Sequence, residues 1–257
     1  MTDISYIDAN LDDVKTYGIC GYKNFKRAGF PEKVDWVARE FENGLKVRFA
    51  LSAQDGAQGM IEYLPGEVCW RPVEAAGTTF IHCLYVGFKN EYKGHGIASE
   101  LLTQCEADAR AAGHHGVSVV TRDGPFMARK DLFLKHGYEL ADKTPPDFEL
   151  LVKRFDKSAP LPRFKGDWEA RRRAYGDGLV ILRADQCPYT VKNVNEMVAA
   201  AQAEFGISAR VVDVKTWQEA QASPSPFGTF GILYRGELVA AHPISKARLM
   251  NILRKMQ

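Results

Sequence analysis

Residues 84–112, LYVGFKNEYKGHGIASELLTQCEADARAA, pass from an apolar strand-like run, through small and basic residues, into a helical pattern. That junction constrains the fold more than any other segment. A helix start carries four backbone N–H groups without intrahelical partners and the positive end of the helix dipole, so it attracts an anion that can approach closely. Side chains would keep it away. Gly94 and Gly96 carry no Cβ and can aim successive N–H groups into one concavity, and Ala98 keeps the first turn slim. Lys93 adds a positive charge at the rim, and Ile97, Leu101, Leu102, Cys105 and Ala109 recur at helical spacing to hold the helix on a sheet. The same residues also suit a tight strand-to-helix turn with close packing. No GK[ST] follows, so this is not a Walker loop, and the spacing is not that of a dinucleotide fingerprint.

Around this junction the chain reads as two domains. FPEKVDWVAREFENG has helical spacing at Val34, Val37 and Phe41, with Gly44 placed to end it. LKVRFALS, AQGMIEYLP and TTFIHCLYV follow as three strands of an antiparallel run, the last expected to put Phe80, His82, Leu84 and Val86 on one face. After the glycine junction come a short buried strand, GVSVVT, a helix in MARKDLFLKHG closed by Gly137, and a terminal strand, FELLVKRF. Prolines, glycines and the basic run Arg171 to Arg173 mark residues 157–177 as a linker with one exposed, solvated helix. From Gly178 a second pattern begins: β-α-β, a short helix, a hairpin turning at Arg235 and Gly236, and a last helix from Ser245. The boundaries expected are therefore 1–156, 157–177 and 178–257, in an α/β (α+β) chain.

Several function classes are disfavoured by composition. A net charge of +2 with 26% charged residues supplies no global basic field for nucleic acid. Five scattered cysteines without metal-ligand spacing read as reduced thiols and imply no metal. No basic leader and no apolar run of membrane-spanning length is found, so a cytoplasmic location without membrane partners is expected.

The segment VGFKNEYKGHGIASELL resembles motif A of the GCN5-related N-acetyltransferases (GNAT), in which Arg or Gln is followed after two residues by Gly and, one residue on, by Gly or Ala. Lys93, Gly96 and Ala98 stand at those places. The resemblance covers roughly residues 4–155 and implies the acyl-CoA N-acyltransferase fold, with a helical start, three antiparallel strands, the cofactor helix, a strand, a helix and a final strand. It implies acetyl-CoA as cosubstrate, its pyrophosphate on the N–H groups of Lys93, Gly94, His95, Gly96, Ile97 and Ala98. Pantetheine is expected along the backbone of Leu84, Tyr85 and Val86, in a splay between that strand and GVSVVT. IEYLPGEVCWRPV, IHCLYVG, LFLKHGYE, PPDFELLV, DQCPYT and GTFGILYRGE are similar to the subset that carries a YoaP-like C-terminal domain, which implies a smaller thioredoxin-like domain after the first.

The reaction implied is direct transfer of an acetyl group to the amine of a small molecule. Amine attack needs a base, and departure of the thiol an acid. His82, two residues before the pantetheine strand segment, is the candidate base, with a structural core histidine as the alternative. Many members place a tyrosine four residues before a GF pair as the acid; here Phe133 stands there, before Gly137 and Tyr138. Glu62, Tyr63, Trp70 and Arg71 are candidate acceptor contacts, or else the exposed face of a hairpin. In the second domain Cys187, in DQCPYT, resembles the first cysteine of a glutaredoxin CPYC motif, with Thr190 at the second and Gly228 where such proteins keep a cis-proline. An alternative function follows: a thiol-binding or redox module beside a domain that binds CoA but turns over weakly.

Overall fold

The computed structural model describes residues 4–22, 24–87 and 89–257. These group into two compact units, Met1–Phe25 with Val34–Cys69 and Val73–Phe164, and Lys26–Lys33 with Trp70–Pro72 and Lys165–Gln257.

Along the chain, β1 (Ile4–Asp8) and α1 (Leu11–Tyr17) come first, followed by α2 (Phe30–Glu42), β2 (Lys46–Ser52), β3 (Gly56–Pro65), the short β4 (Val73–Glu74) and β5 (Thr78–Val86). Next are α3 (Ile97–Ala111), β6 (Gly116–Thr121), α4 (Lys130–Lys135), β7 (Glu139–Thr144), β8 (Phe148–Arg154) and the short β9 (Arg163–Phe164). Seven strands form one sheet in the order β1-β2-β3-β5-β6-β8-β7. Neighbours are antiparallel except β5 and β6, which run parallel. A parallel pair cannot be closed by a hairpin, so α3 supplies the crossover.

The start corrects the expected helical opening. Strand β1 precedes α1 and pairs antiparallel with β2, because Ile4–Asp8 finds a free edge there. A strand also lies at Glu139–Thr144, where the sequence reading placed none, paired with β8.

One face of the sheet carries α3. Ile97, Leu101, Leu102, Cys105 and Ala109 are all buried against Ala50, Ile61, Tyr63 and Ile81. Full burial of each leucine contributes about 1.5–3 kcal/mol. The helix can lie this low because β3 has Gly59 beneath it: a Cβ there would stand 2.8 Å from Ile97 Cγ2 and 3.2 Å from Leu101 Cδ1. A polar clamp fixes its far end. Asp108 of α3 accepts from Tyr63 Oη at 2.5 Å, Lys46 Nζ at 3.0 Å and Arg48 Nη2 at 3.1 Å. Burial raises the Asp108 carboxyl, but these donors and the Arg48 and Lys46 charges outweigh it and hold it below the ordinary aspartate range.

The second unit contains α5 (Trp168–Arg173), β10 (Leu179–Arg183), α6 (Thr190–Phe205), β11 (Ala209–Asp213), α7 (Trp217–Gln221), β12 (Phe230–Tyr234), β13 (Glu237–Ala240) and α8 (Lys246–Met256). Its sheet order is β11-β10-β12-β13, with β10 and β11 parallel and the other neighbours antiparallel. Arg235 (φ +53°) and Gly236 (φ +76°) make the hairpin turn, both at the positive φ that a two-residue hairpin favours. Arg171 departs from the expected solvated face. Its Nη1 donates to the carbonyls of Gln221 (2.7 Å) and Ser223 (3.2 Å), and burial pushes its guanidinium pKa down.

Candidate functional site

The glycine junction leads into α3. Gly94 (φ +77°) and Gly96 (φ +79°) both occupy the left-handed region, and Gly96 is the N-cap of the helix, with no side chain capping it. The ladder opens with Glu100 N–H to Gly96 O at 2.9 Å, so the N–H groups of Ile97, Ala98 and Ser99 lie ahead of it. A Cβ added at either glycine would meet nothing within 4 Å. The glycines are therefore required by backbone conformation, and the space above them is open. Together these features make an open, uncapped, positively polarised helix start, suited to an anion. Lys93 Nζ bonds Asn90 Oδ1 at 2.9 Å, and His95 is exposed.

Residues that no motif singled out hold this junction in place. Tyr92, 1% exposed, donates its hydroxyl to Asp55 Oδ2 at 2.7 Å and reaches Ser52 Oγ at 2.9 Å. Lys89 Nζ binds Asp55 Oδ1 at 2.5 Å, and Gly87 N–H donates to Gln58 O at 2.5 Å. The Lys89 and Tyr92 donors hold the Asp55 carboxyl below its usual range. The loop before the cradle is thus tied to the β2–β3 hairpin. Only Gly59, a glycine inside a strand pattern, carried a sequence signal of close approach.

Strand β5 corrects the expected face. Tyr63 pairs with Ile81 and Glu62 with Cys83, so His82 is an extra residue, a bulge, on β5. Residues paired across a ladder share a face. Beyond the bulge Leu84 therefore joins Ile61, and Val86 joins Gly59, on the α3 side, where both pack against the core cluster that contains Ile81. Phe80, paired with Leu64, belongs to the other face, and the His82 ring lies against it at 5.1 Å between centroids. Phe80 and His82 do not share a face with Leu84 and Val86. Period-2 alternation holds only while every residue has a partner, and the bulge breaks it.

The bulge coincides with a parting of strands. β5 pairs with β6 only from Thr78↔Gly116 to Ile81↔Val119, although β5 continues to Val86 and β6 to Thr121. From His82 onward the β6-facing edge of β5 lacks that ladder partner. The parted edge and the uncapped α3 start are the two ends of one segment, residues 82–99.

The remaining expected site residues are elsewhere. Tyr63 is 3% exposed and committed to Asp108, with its phenol pKa raised first by burial. Trp70 and Glu62 are fully buried and Arg71 is 3% exposed, which overturns the exposed-hairpin alternative for all four. Arg71 belongs to the second unit, donating to Trp70 O and Thr229 Oγ1, both at 3.1 Å, beneath the Phe227 ring. Phe133 is fully buried, edge-on to Tyr138 at 5.4 Å, and burial pushes the Tyr138 hydroxyl pKa well up. Cys187 is half-buried; Thr190, the residue at the resolving position, is fully buried and donates its hydroxyl to Cys187 O at 2.9 Å and Ala184 O at 3.3 Å. That hydroxyl closes a turn and offers no thiol chemistry. Among the described residues no helix is long and apolar enough to cross a membrane, and no group of three His, Cys, Asp or Glu could hold a metal ion.

Comparison with known proteins bears on both units. Residues 15–138 match the acetyltransferase (GNAT) family and residues 209–251 the YoaP-like family. A Bacillus subtilis (strain 168) protein described as the uncharacterized N-acetyltransferase YoaP is 28% identical over 254 residues, covering 96% of this chain and 98% of its own. Among solved structures, a GNAT-family acetyltransferase from Staphylococcus aureus Mu50 is 12% identical with TM-score 0.45, covering 60% of this chain and 100% of that one. YhbS from Escherichia coli, solved in complex with CoA, is 15% identical with TM-score 0.43, covering 64% and 91%.

Proposed function

The chain belongs to the acetyltransferase (GNAT) family, with a YoaP-like segment after that domain, and from this premise we propose that it transfers the acetyl group of acetyl-CoA directly to the amine of a small molecule. Acetyl-CoA is the cosubstrate of the family. The observation that carries the reading is the pairing of an open, uncapped α3 start with a β5 edge that parts from β6, in one segment.

Acetyl-CoA presents a diphosphate, an amide-bearing pantetheine arm and a thioester, in that order. The N–H groups from Gly94 to Ala98 receive the diphosphate, because the positive-φ glycines leave room and the helix dipole favours negative charge; the Lys93 N–H, expected among them, is instead bonded to Asn90 O at 3.1 Å. The pantetheine amides take the place of a strand along Leu84 to Val86, where β6 has diverged. The thioester then lies beside the bulge. Amine attack generates an oxyanion that a β5 backbone N–H stabilises, and collapse breaks the C–S bond. His82 accepts the proton from the attacking amine. Buried Phe133 has no proton to give, so CoA leaves as a thiolate, the conjugate base of an alkyl thiol and a far better leaving group than an amide anion.

A thiol-release assay over a panel of small amines tests the activity, and an absence of amine-dependent CoA release would refute it. His82→Gln is expected to lower kcat/KM by about a hundredfold and to abolish the ascending limb of its pH profile. An unchanged profile removes His82 from the mechanism. The thioredoxin-like, redox alternative rested on Cys187, and the buried Thr190 turn lends it no support.

A further inference from the structure

The face of β5 opposite α3 carries a second chemical feature, outside the donor segment's cradle. Cys20 and Cys83, distant in sequence, bring their Sγ atoms to 3.8 Å. Both are half-buried. Cys20 sits in a tight turn closed by Ile19 and Tyr22, which exchange backbone bonds of 3.2 and 2.8 Å. The two central residues, Cys20 (φ +53°) and Gly21 (φ +71°), both occupy the left-handed region. Glycine takes that conformation freely; cysteine takes it at a cost, and backbone strain of this kind gathers at working positions. The turn is seated against β3 and β5: Cys20 N–H contacts Met60 Sδ at 3.0 Å, and a Cβ on Gly21 would stand 2.7 Å from the Tyr85 ring. Cys83 follows the bulged His82 directly.

We propose that Cys20 and Cys83 are a modification site, a dithiol that small-molecule disulfides of the glutathione class convert to an intramolecular disulfide. One cysteine thiolate attacks the small disulfide, forming a mixed disulfide and releasing one small thiolate. The second cysteine thiolate displaces the other. The two cysteine protons pass to the two departing thiolates, so the protein is oxidised by two electrons and the disulfide is reduced to two thiols. The sulfurs need approach by only about 1.8 Å to reach the bonded separation of about 2.0 Å. Two other cysteines are poor competitors: Cys69 and Cys105 are fully buried, and burial pushes the Cys105 thiol pKa well up. The bond would pin the 19–22 turn to the strand that carries His82 and the pantetheine edge, and so suppress acetyl transfer; this consequence rests on the function proposed above.

The test treats the whole protein with glutathione disulfide, caps remaining thiols with N-ethylmaleimide, and maps peptides without reduction. Two fewer maleimides and a peptide pair joining Cys20 to Cys83 are expected, with no glutathione retained on either. Cys20→Ser should instead leave glutathione trapped on Cys83. An unchanged alkylation count, glutathione retained on the wild-type pair, or a link through Cys187 overturns the proposal. Phenylarsine oxide, which bridges close thiol pairs, should protect both cysteines from maleimide in the wild type, and failure to do so counts equally against it. Treated enzyme should lose about tenfold in kcat/KM and regain it with dithiothreitol; a cross-linked enzyme of full activity overturns the regulatory consequence. Mass readouts need no turnover, so failure of the acetyltransferase reading is distinguishable from failure of the dithiol.

Discussion

The molecule contains two strand-to-helix turns that begin alike and end as opposites. Between β5 and α3, glycines at positive φ leave the helix start uncapped and the space above it empty. Between β10 and α6, Thr190 fills the turn with a fully buried hydroxyl bonded to two carbonyls. Neither helix start has a side-chain cap; the first leaves open space above its backbone donors, whereas at the second a threonine hydroxyl ties the turn to two carbonyls. The difference lies in side chains at two or three positions rather than in topology, since each helix is the crossover between parallel strands.

Gly96→Val should break that contrast most strongly. A β-branched residue resists φ near +79° and places methyl groups in the open space, so acetyl-CoA affinity is expected to drop by about a hundredfold in calorimetry. An unaltered dissociation constant would show that the cradle is not where the diphosphate binds. Tyr92→Phe sharpens the comparison by loosening the loop without touching the helix start. A several-fold weaker donor affinity is expected, with a melting temperature lower by about 2–4 °C. Thr190→Val should act on stability alone, costing about 1–2 kcal/mol through the lost hydroxyl bonds to the Ala184 and Cys187 carbonyls and leaving acetyl-CoA affinity as it was. A change in donor binding there would remove the distinction between the turns.

The smallest expected effect is a pH dependence. The Asp55 carboxyl is held below its unfolded value of about 3.9 by the Lys89 and Tyr92 donors. Its contribution to holding the loop is complete above that value and is lost as pH falls through the lower, folded pKa. Asp55→Asn should flatten this acid limb in a melting-temperature series.

The order of strands around the junction, the left-handed glycines at the helix start and the helix seam of Ile97, Leu101, Leu102, Cys105 and Ala109 were all legible, because local conformation and periodicity encode them. The hairpin at Arg235 and Gly236 was legible for the same reason. The face of His82 was not: a bulge arises from a mismatch between two strands, and one strand's alternation cannot show it. Nor was the burial of Tyr63 and Arg71, since their partners Asp108 and Thr229 are 45 and 158 residues away.

What the sequence determined by itself was a helix that opens on glycine and a chain whose patterns demand a mixed sheet. Those properties live in short stretches of backbone and need no partner to be specified. Only the tertiary structure decided that β5 leaves β6 at Ile81, that His82 turns away from Leu84, and that Cys20 meets Cys83. Each is a pairing between distant segments, and a pairing exists only once both have been brought together by the packed core.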